Sequence, residues 1–302
     1  MWRAAAADTG LNMAPIFILG TGRCGSTHLQ RLISLNTEVW IWGEHDGFLA
    51  PMLNSMSRFE NSAQLGRQIF EVSPKPDDAA LVTCMTDGLP LLPWLNRFDR
   101  TAVRDELRTM IDRLFRAPLP QGWSHWGFKE ILYGLHNNAP ALLLQLFPSS
   151  TAAFTFRHPK VTIESMLRSW DTAILRDSGK PDMLEKRYAE RASRWETLTR
   201  YYIELKADVG RRLVFACLED LVTRPAAVFG AMDLPLRANA ELRCPSLTNR
   251  GGKTALPPWA KPIADKLYAQ RQERLEELYS QAMQIAAFDL AASPSPATVQ
   301  SD

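Results

Sequence analysis

The sequence predicts an α/β fold, with a central parallel sheet covered by helices on both faces. Three observations carry this expectation. Short apolar runs bounded by Gly, Pro or turn residues recur along the chain. Stretches with helical spacing alternate with them. A glycine-rich turn joins the first run to the first helical stretch. Strands alternating with helices build parallel sheets that are buried on both sides. The chain has 302 residues and is 46% hydrophobic, ample for one domain with a substantial core.

The first run, "PIFILG" (residues 15–20), reads as a buried strand. Leu29, Leu32, Ile33 and Leu35 then mark a helix over 26–35. "EVWIWGE" (38–44) is the second strand. Residues 45–125 are mixed, rich in Met, Trp and Pro, with one amphipathic helix near 99–116. "HWGFKE" (125–130) is the third strand, followed by the helical "NNAPALLLQLF". "TAAFTFRHP" (151–159) is a strand ending at Arg157. Pro159 suits the first turn of a helix reaching about residue 176. A long polar helix covers 181–208. "RRLVFACLEDL" is a strand running into a turn, and one charged helix over 261–288 closes the fold. Residues 1–290 form a single domain on this reading, with 45–125 as a helical insertion. The Pro/Ser-rich stretch 291–302 is expected to be a disordered tail.

Composition excludes several functions. A formal charge of +2 argues against a broad nucleic-acid surface, so anion binding must come from a few focused basic residues. Cys24, Cys84, Cys217 and Cys244 lie far apart with no zinc spacing, which suits free thiols in a reducing cytoplasm. No apolar run approaches the roughly 18 to 20 residues that span a bilayer, and "MWRAAAADTG" lacks a hydrophobic signal core. His28, His125 and His136 form no ligand pattern, so no metal is expected.

The chemistry centres on "FILGTGRCGSTHLQRLI" (17–33). Gly20, Gly25 and Thr27 fit the phosphate-loop spacing G-x-x-x-x-G-K-[ST], but Ser26 holds the lysine's place and Arg23 stands inside the loop. Backbone N–H groups at such a turn make an anion cradle. Gly22 and Gly25 let the backbone close, the Cys24 segment lies between them, Ser26 and Thr27 offer hydroxyls, and Arg23 offers a planar charged fork. A magnesium–triphosphate site also needs an acidic residue after another strand. The nearest candidates, Glu219 and Asp220, sit in an L-E-D-L context instead. Ligands of parallel sheets bind beyond the carboxyl ends of the strands, so the loop, Glu44, Lys129 and Arg157 should converge.

Three segments resemble the sulfotransferase family that uses 3′-phosphoadenosine 5′-phosphosulfate. "GTGRCGST" is similar to its 5′-phosphosulfate loop, where Arg23, Gly25, Ser26 and Thr27 match the Arg-x-Gly-[ST]-[ST] core. "FRHPKVTIESMLRS" is similar to its 3′-phosphate motif, matched by Arg157 and Ser165. "LEDLVTRP" resembles its "YEDL" segment, with Leu218 where tyrosine is frequent. The resemblance covers about residues 15–225. It implies a P-loop-like three-layer fold and metal-free sulfuryl transfer to a hydroxyl of a small-molecule, carbohydrate or lipid acceptor. It is compatible with a homodimer. By likeness to the tyrosylprotein branch, Glu44 in "WGEHDG" is the expected base; His45 and Glu130 are the alternatives. Lys129 and Arg23 would stabilise the leaving phosphate. Arg250 and Lys253 in "NRGGKTALPPW" resemble a basic loop that closes the nucleotide site. Phe48, Phe59, Trp94 and Trp123 suit either an acceptor pocket or the core of a cap. Each assignment has a plainer rival: Arg157 as a surface ion pair, Ser165 as a hydroxyl bonding its own helix, Glu44 as a first-turn carboxylate, Lys129 as a snorkelling stem. A kinase-like phosphotransferase and a non-catalytic nucleotide binder are the rival functions, the first weakened by the missing lysine.

Overall fold

A computed structural model describes residues 14–62, 100–134, 136–177, 179–237, 242–246 and 255–292. Its sheet has five parallel strands: β1 (Ile16–Gly20), β2 (Val39–Trp42), β3 (His125–Glu130), β4 (Thr151–Phe156) and β5 (Leu213–Cys217), in the order β2-β3-β1-β4-β5. All five residues of β1 are buried. Phe17 and Leu19 join an aromatic cluster with Trp126, Phe128, Phe154 and Phe215. Ile16 and Ile18 face the opposite cluster, with Leu29, Leu32, Ile33 and Val228. Burial on both faces is why the strands read as continuous apolar runs rather than alternating ones. The three-layer fold expected from the sequence is therefore the one adopted.

Helices follow the strands: α1 (Ser26–Asn36), α2 (Leu49–Glu60), α3 (Arg100–Arg116), α4 (Ala139–Leu146), α5 (Pro159–Trp170), α6 (Thr172–Leu175), α7 (Pro181–Val209), α8 (Leu218–Thr223), α9 (Pro225–Ala231), α10 (Ala260–Ala269) and α11 (Gln272–Ala291). Pro159 opens α5 and Pro181 opens α7, where a missing N–H costs nothing.

The helix expected to run from 159 to about 176 divides at Asp171. That residue leaves helical geometry, and its buried carboxylate takes both arms of the Arg191 fork, at 2.9 Å each. The single helix expected over 261–288 is two helices broken at 270–271. The break lets Leu267 and Tyr268 on one side and Leu275 and Leu278 on the other fill the cluster around Trp195. Glu219 and Asp220 lie in a short helix, not a turn. Trp123 belongs to the scaffold: it packs edge-on against Trp40 and donates to the Ser34 carbonyl at 2.9 Å. Ala291 ends the last helix, while 293–302 and Trp94 lie outside the described residues.

Strand order places the site. β1 has β3 on one side and β4 on the other, although both come later in the chain. The β1–β2 connection runs to one side of β1 and the β3–β4 connection crosses to the other, which opens a crevice at the carboxyl end of β1. Register pairs Leu19 with Glu130 and Gly20 with Thr155. The residues that follow β1, β3 and β4 therefore emerge side by side.

Candidate active site

The loop between β1 and α1 takes left-handed backbone at Gly22 (φ 86°), Arg23 (φ 56°) and Gly25 (φ 94°). Such geometry is uncommon outside glycine, and strain of this kind gathers at functional loops. Two side chains hold the loop in place. A Cβ on Gly22 would lie 2.6 Å from the Trp170 ring, and one on Gly25 2.6 Å from Leu218 Cδ1. Leu218 thus acts as an apolar buttress for the turn. Gly25→Ala is expected to cost about 1 to 3 kcal/mol of stability through the strained φ and this collision. An unchanged thermal midpoint would count against that account.

The loop ends at a helix amino end whose chemistry suits an anion. No side chain caps the amino end of α1, and its first turn holds no acidic residue. The first N–H groups of a helix lack partners within it and carry partial positive charge. Thr27 is exposed there and Ser26 is buried. Cys24 is fully buried, its Sγ 3.1 Å from Thr155 Oγ1, so its side chain packs inward. Arg23 is exposed and donates from Nε to Ser165 Oγ at 3.2 Å. That bond joins the loop to α5, although the residues are far apart in sequence.

Arg157 follows the end of β4. Its Nε is buried without a hydrogen-bond partner, and the closest acid is Glu219, 3.6 Å away across a half-exposed ion pair. Glu219 also accepts the Cys217 thiol at 2.6 Å. Burial, reinforced by that bond, pushes the Cys217 thiol up to about 12.

Glu44 and Lys129 meet as an ion pair. Lys129 is buried, whereas 45% of the Glu44 side chain is exposed, so the carboxylate opens into a cleft of about 510 Å³. Asp46, Glu130, Ile131, Leu132, Trp170, Arg191 and Arg194 line the same cleft. The two rival bases are engaged elsewhere. Glu130 is fully buried: its Oε2 accepts the N–H groups of His45 and Gly47 at 3.1 and 2.9 Å, and its Oε1 those of Ile131 and Leu132 at 2.8 and 3.0 Å. Four backbone donors occupy its oxygens, so of the two carboxylates Glu44 is the more open. His45 turns into the aromatic core. Its Nε2 lies 2.7 Å from Tyr133 Oη, and its ring stands edge-on to Phe128 and Phe48. Burial lowers its pKa against the opposing pull of Glu130.

Arg250 and Lys253 lie outside the described residues. Sequence reasoning missed Trp170, Arg191 and Arg194. Trp170 ends α5, and its ring lies under the Arg191 guanidinium at 5.2 Å. The only signal for the two arginines was their spacing of one helical turn on a polar helix. Among the described residues, no group of three His, Cys, Asp or Glu side chains is placed to hold a metal ion, and no helix is long and apolar enough to cross a membrane.

Among solved structures, the chain is similar to a sulfotransferase from Alicyclobacillus acidocaldarius, with 12% identity, 91% of this chain and 96% of that chain covered, and a TM-score of 0.48. It is also similar to the sulfotransferase domain of the Synechococcus PCC 7002 olefin synthase, at 18% identity, with 97% and 100% covered and a TM-score of 0.43. A third likeness is to sulfotransferase STF9 from Mycobacterium avium, at 12% identity, with 91% and 77% covered and a TM-score of 0.44. No curated protein matches the chain. The model of the sulfotransferase family matches residues 15–232, well over half of the sequence, and the chain belongs to that family.

Proposed function

We propose that this enzyme transfers the sulfuryl group of 3′-phosphoadenosine 5′-phosphosulfate to a hydroxyl of a small-molecule, carbohydrate or lipid acceptor, with Glu44 as the base. One observation supports the reading: the Arg23–Ser165 bond joins the glycine-rich loop to the helix that follows Arg157, beside a cleft into which Glu44 opens. The loop and the amino end of α1 hold the 5′-phosphosulfate. Arg157 and Ser165 hold the 3′-phosphate. A buried guanidinium N–H without a partner is costly, and a phosphate oxygen supplies the missing acceptor through a charge-assisted bond. The ion pair to half-exposed Glu219 is weak enough to give way.

In the reaction the acceptor oxygen bonds to sulfur as the bridging S–O bond breaks. The proton passes to Glu44, and the electron pair stays on the leaving phosphate. Once protonated, Glu44 loosens its hold on Lys129, which frees the ammonium for the phosphate oxygen. Arg23 adds its charge from the loop side. A sulfuryl group carries less charge than a triphosphate tail, so these cations meet the demand without invoking a metal. Residues 1–290 are read as one catalytic domain. Its acceptor side is the 45–125 region, where α2 follows directly on the turn after Glu44. A cytoplasmic location fits the unpaired thiols of Cys24, Cys217 and Cys244.

Calorimetry in magnesium-free buffer tests the donor. Binding of adenosine 3′,5′-bisphosphate is expected, and Arg157→Ala should weaken it by about 1.5 to 3 kcal/mol, the range for bonds to charged groups. Magnesium-dependent ATP binding without bisphosphate binding would favour a kinase-like enzyme instead. A mass-spectrometric screen of hydroxyl compounds for sulfuryl gain then identifies the acceptor.

A further inference from the structure

Arg194 projects from α7 into the gap between the carboxyl ends of β1 and β3. Its Nη2 donates to the Ile131 carbonyl at 2.6 Å, and its Nε reaches the Thr21 carbonyl at 3.4 Å. Neither partner is an acid. By contrast, Arg191 is held by Asp171 and Arg187 by Glu190. Burial, and secondarily the Arg191 guanidinium, pull the Arg194 pKa below the usual arginine value. The fold therefore maintains a cation where a cation is costly. A guanidinium carries five N–H groups, and the two carbonyls occupy only Nε and one arm. Arg194 lines the same cleft as Glu44, while Thr21 begins the anion-binding loop. Glu44, Asp46 and Glu130 share this cleft, but the Arg194 hydrogen bonds go to carbonyls alone; a guanidinium so placed, between the loop and the base, is suited to an anion that arrives with the substrate.

We infer that Arg194 contacts the sulfuryl oxygens of the donor as the group passes from the loop to the acceptor. The inference rests on the donor reading above. During transfer, the S–O bond to the acceptor forms, the bridging S–O bond breaks, the proton goes to Glu44 and the electron pair to the 5′-phosphate. The three remaining oxygens stay on sulfur throughout and keep their negative charge. Lys129 answers the charge that grows on the leaving phosphate; Arg194 answers the charge that travels with sulfur. Preorganised donors of this kind stabilise a transition state without reorganising.

Donor and product differ by that one group, so their affinities separate a sulfuryl contact from a structural role. Titration calorimetry without acceptor should compare the phosphosulfate and the bisphosphate on the parent, Arg194→Gln and Arg194→Lys. In Arg194→Gln the bisphosphate should bind within about twofold of the parent, and the phosphosulfate should lose about tenfold or more. Arg194→Lys keeps the charge but not the fork and should lose less. Equal weakening of both nucleotides would mean that Arg194 only braces the Thr21 turn, and would overturn the inference. So would no weakening of either. If Arg194→Gln does not fold, an unchanged donor-to-product ratio in Arg194→Lys overturns it as well. A parent protein that binds neither nucleotide defeats the donor reading itself, which is a distinct failure.

Discussion

Glu44→Gln is expected to lower kcat by about 10² to 10⁴-fold, the range a positioned base contributes, with bisphosphate affinity within about twofold of the parent. The substitution keeps the shape of the side chain and removes the basic oxygen. Glu44 is not among the groups proposed to hold the nucleotide, at the loop and at Arg157, so binding and chemistry should separate. Neither neighbour can take over: His45 is held in the aromatic core against Tyr133, and the Glu130 oxygens are filled by backbone donors. Glu44→Asp should recover part of the rate only if a shorter reach still meets the acceptor oxygen. Single-turnover rates at saturating donor are the measurement that separates these outcomes. A Glu44→Gln enzyme within threefold of the parent would remove Glu44 as base.

Much of this site was legible because its parts follow strand ends. Each run of buried apolar residues announced a strand, and the candidates cluster at the carboxyl ends of four of them: the loop after β1, Glu44 after β2, Lys129 near the end of β3 and Arg157 after β4. Gly22, Arg23 and Gly25 were legible through spacing, Arg157 and Ser165 through a motif. What stayed hidden depends on side chains meeting across the fold. Nothing in the local pattern says that Asp171 will leave its helix to receive Arg191, or that a charged helix with no Gly or Pro near 270–271 will break there so that both halves reach Trp195. Arg194 reads as one more charge on a polar helix; only the topology brings it to Thr21 and Ile131. Glu130 shows the reverse error. Its position beside Lys129 made it a candidate base, but strand alternation sends the two side chains to opposite faces. Lys129 meets Glu44, while Glu130 turns beneath the Glu44–Gly47 turn and is buried there.

That difference predicts opposite signatures for the two acids. Glu130→Ala should destabilise the protein by about 3 kcal/mol or more, since buried donors stripped of an acceptor cost about 1 to 3 kcal/mol each and some of the four can recover water. For a chain of this size, the thermal midpoint should fall by roughly 5 to 10 °C. The loss is a large part of a stability that typically totals about 5 to 15 kcal/mol. Glu130→Gln should fall between this variant and the parent, because one oxygen is kept and an amide NH₂ is turned towards two N–H donors. Activity should fall as well, by a different route. Oε2 of Glu130 fixes the N–H groups of His45 and Gly47, and so sets where Glu44 stands. The two acids therefore separate by thermal midpoint: Glu44→Gln loses rate with little change in it, whereas Glu130→Gln loses both together. If Glu130→Gln melted with the parent, the carboxylate would not be holding the turn, and the placement of Glu44 would need another cause.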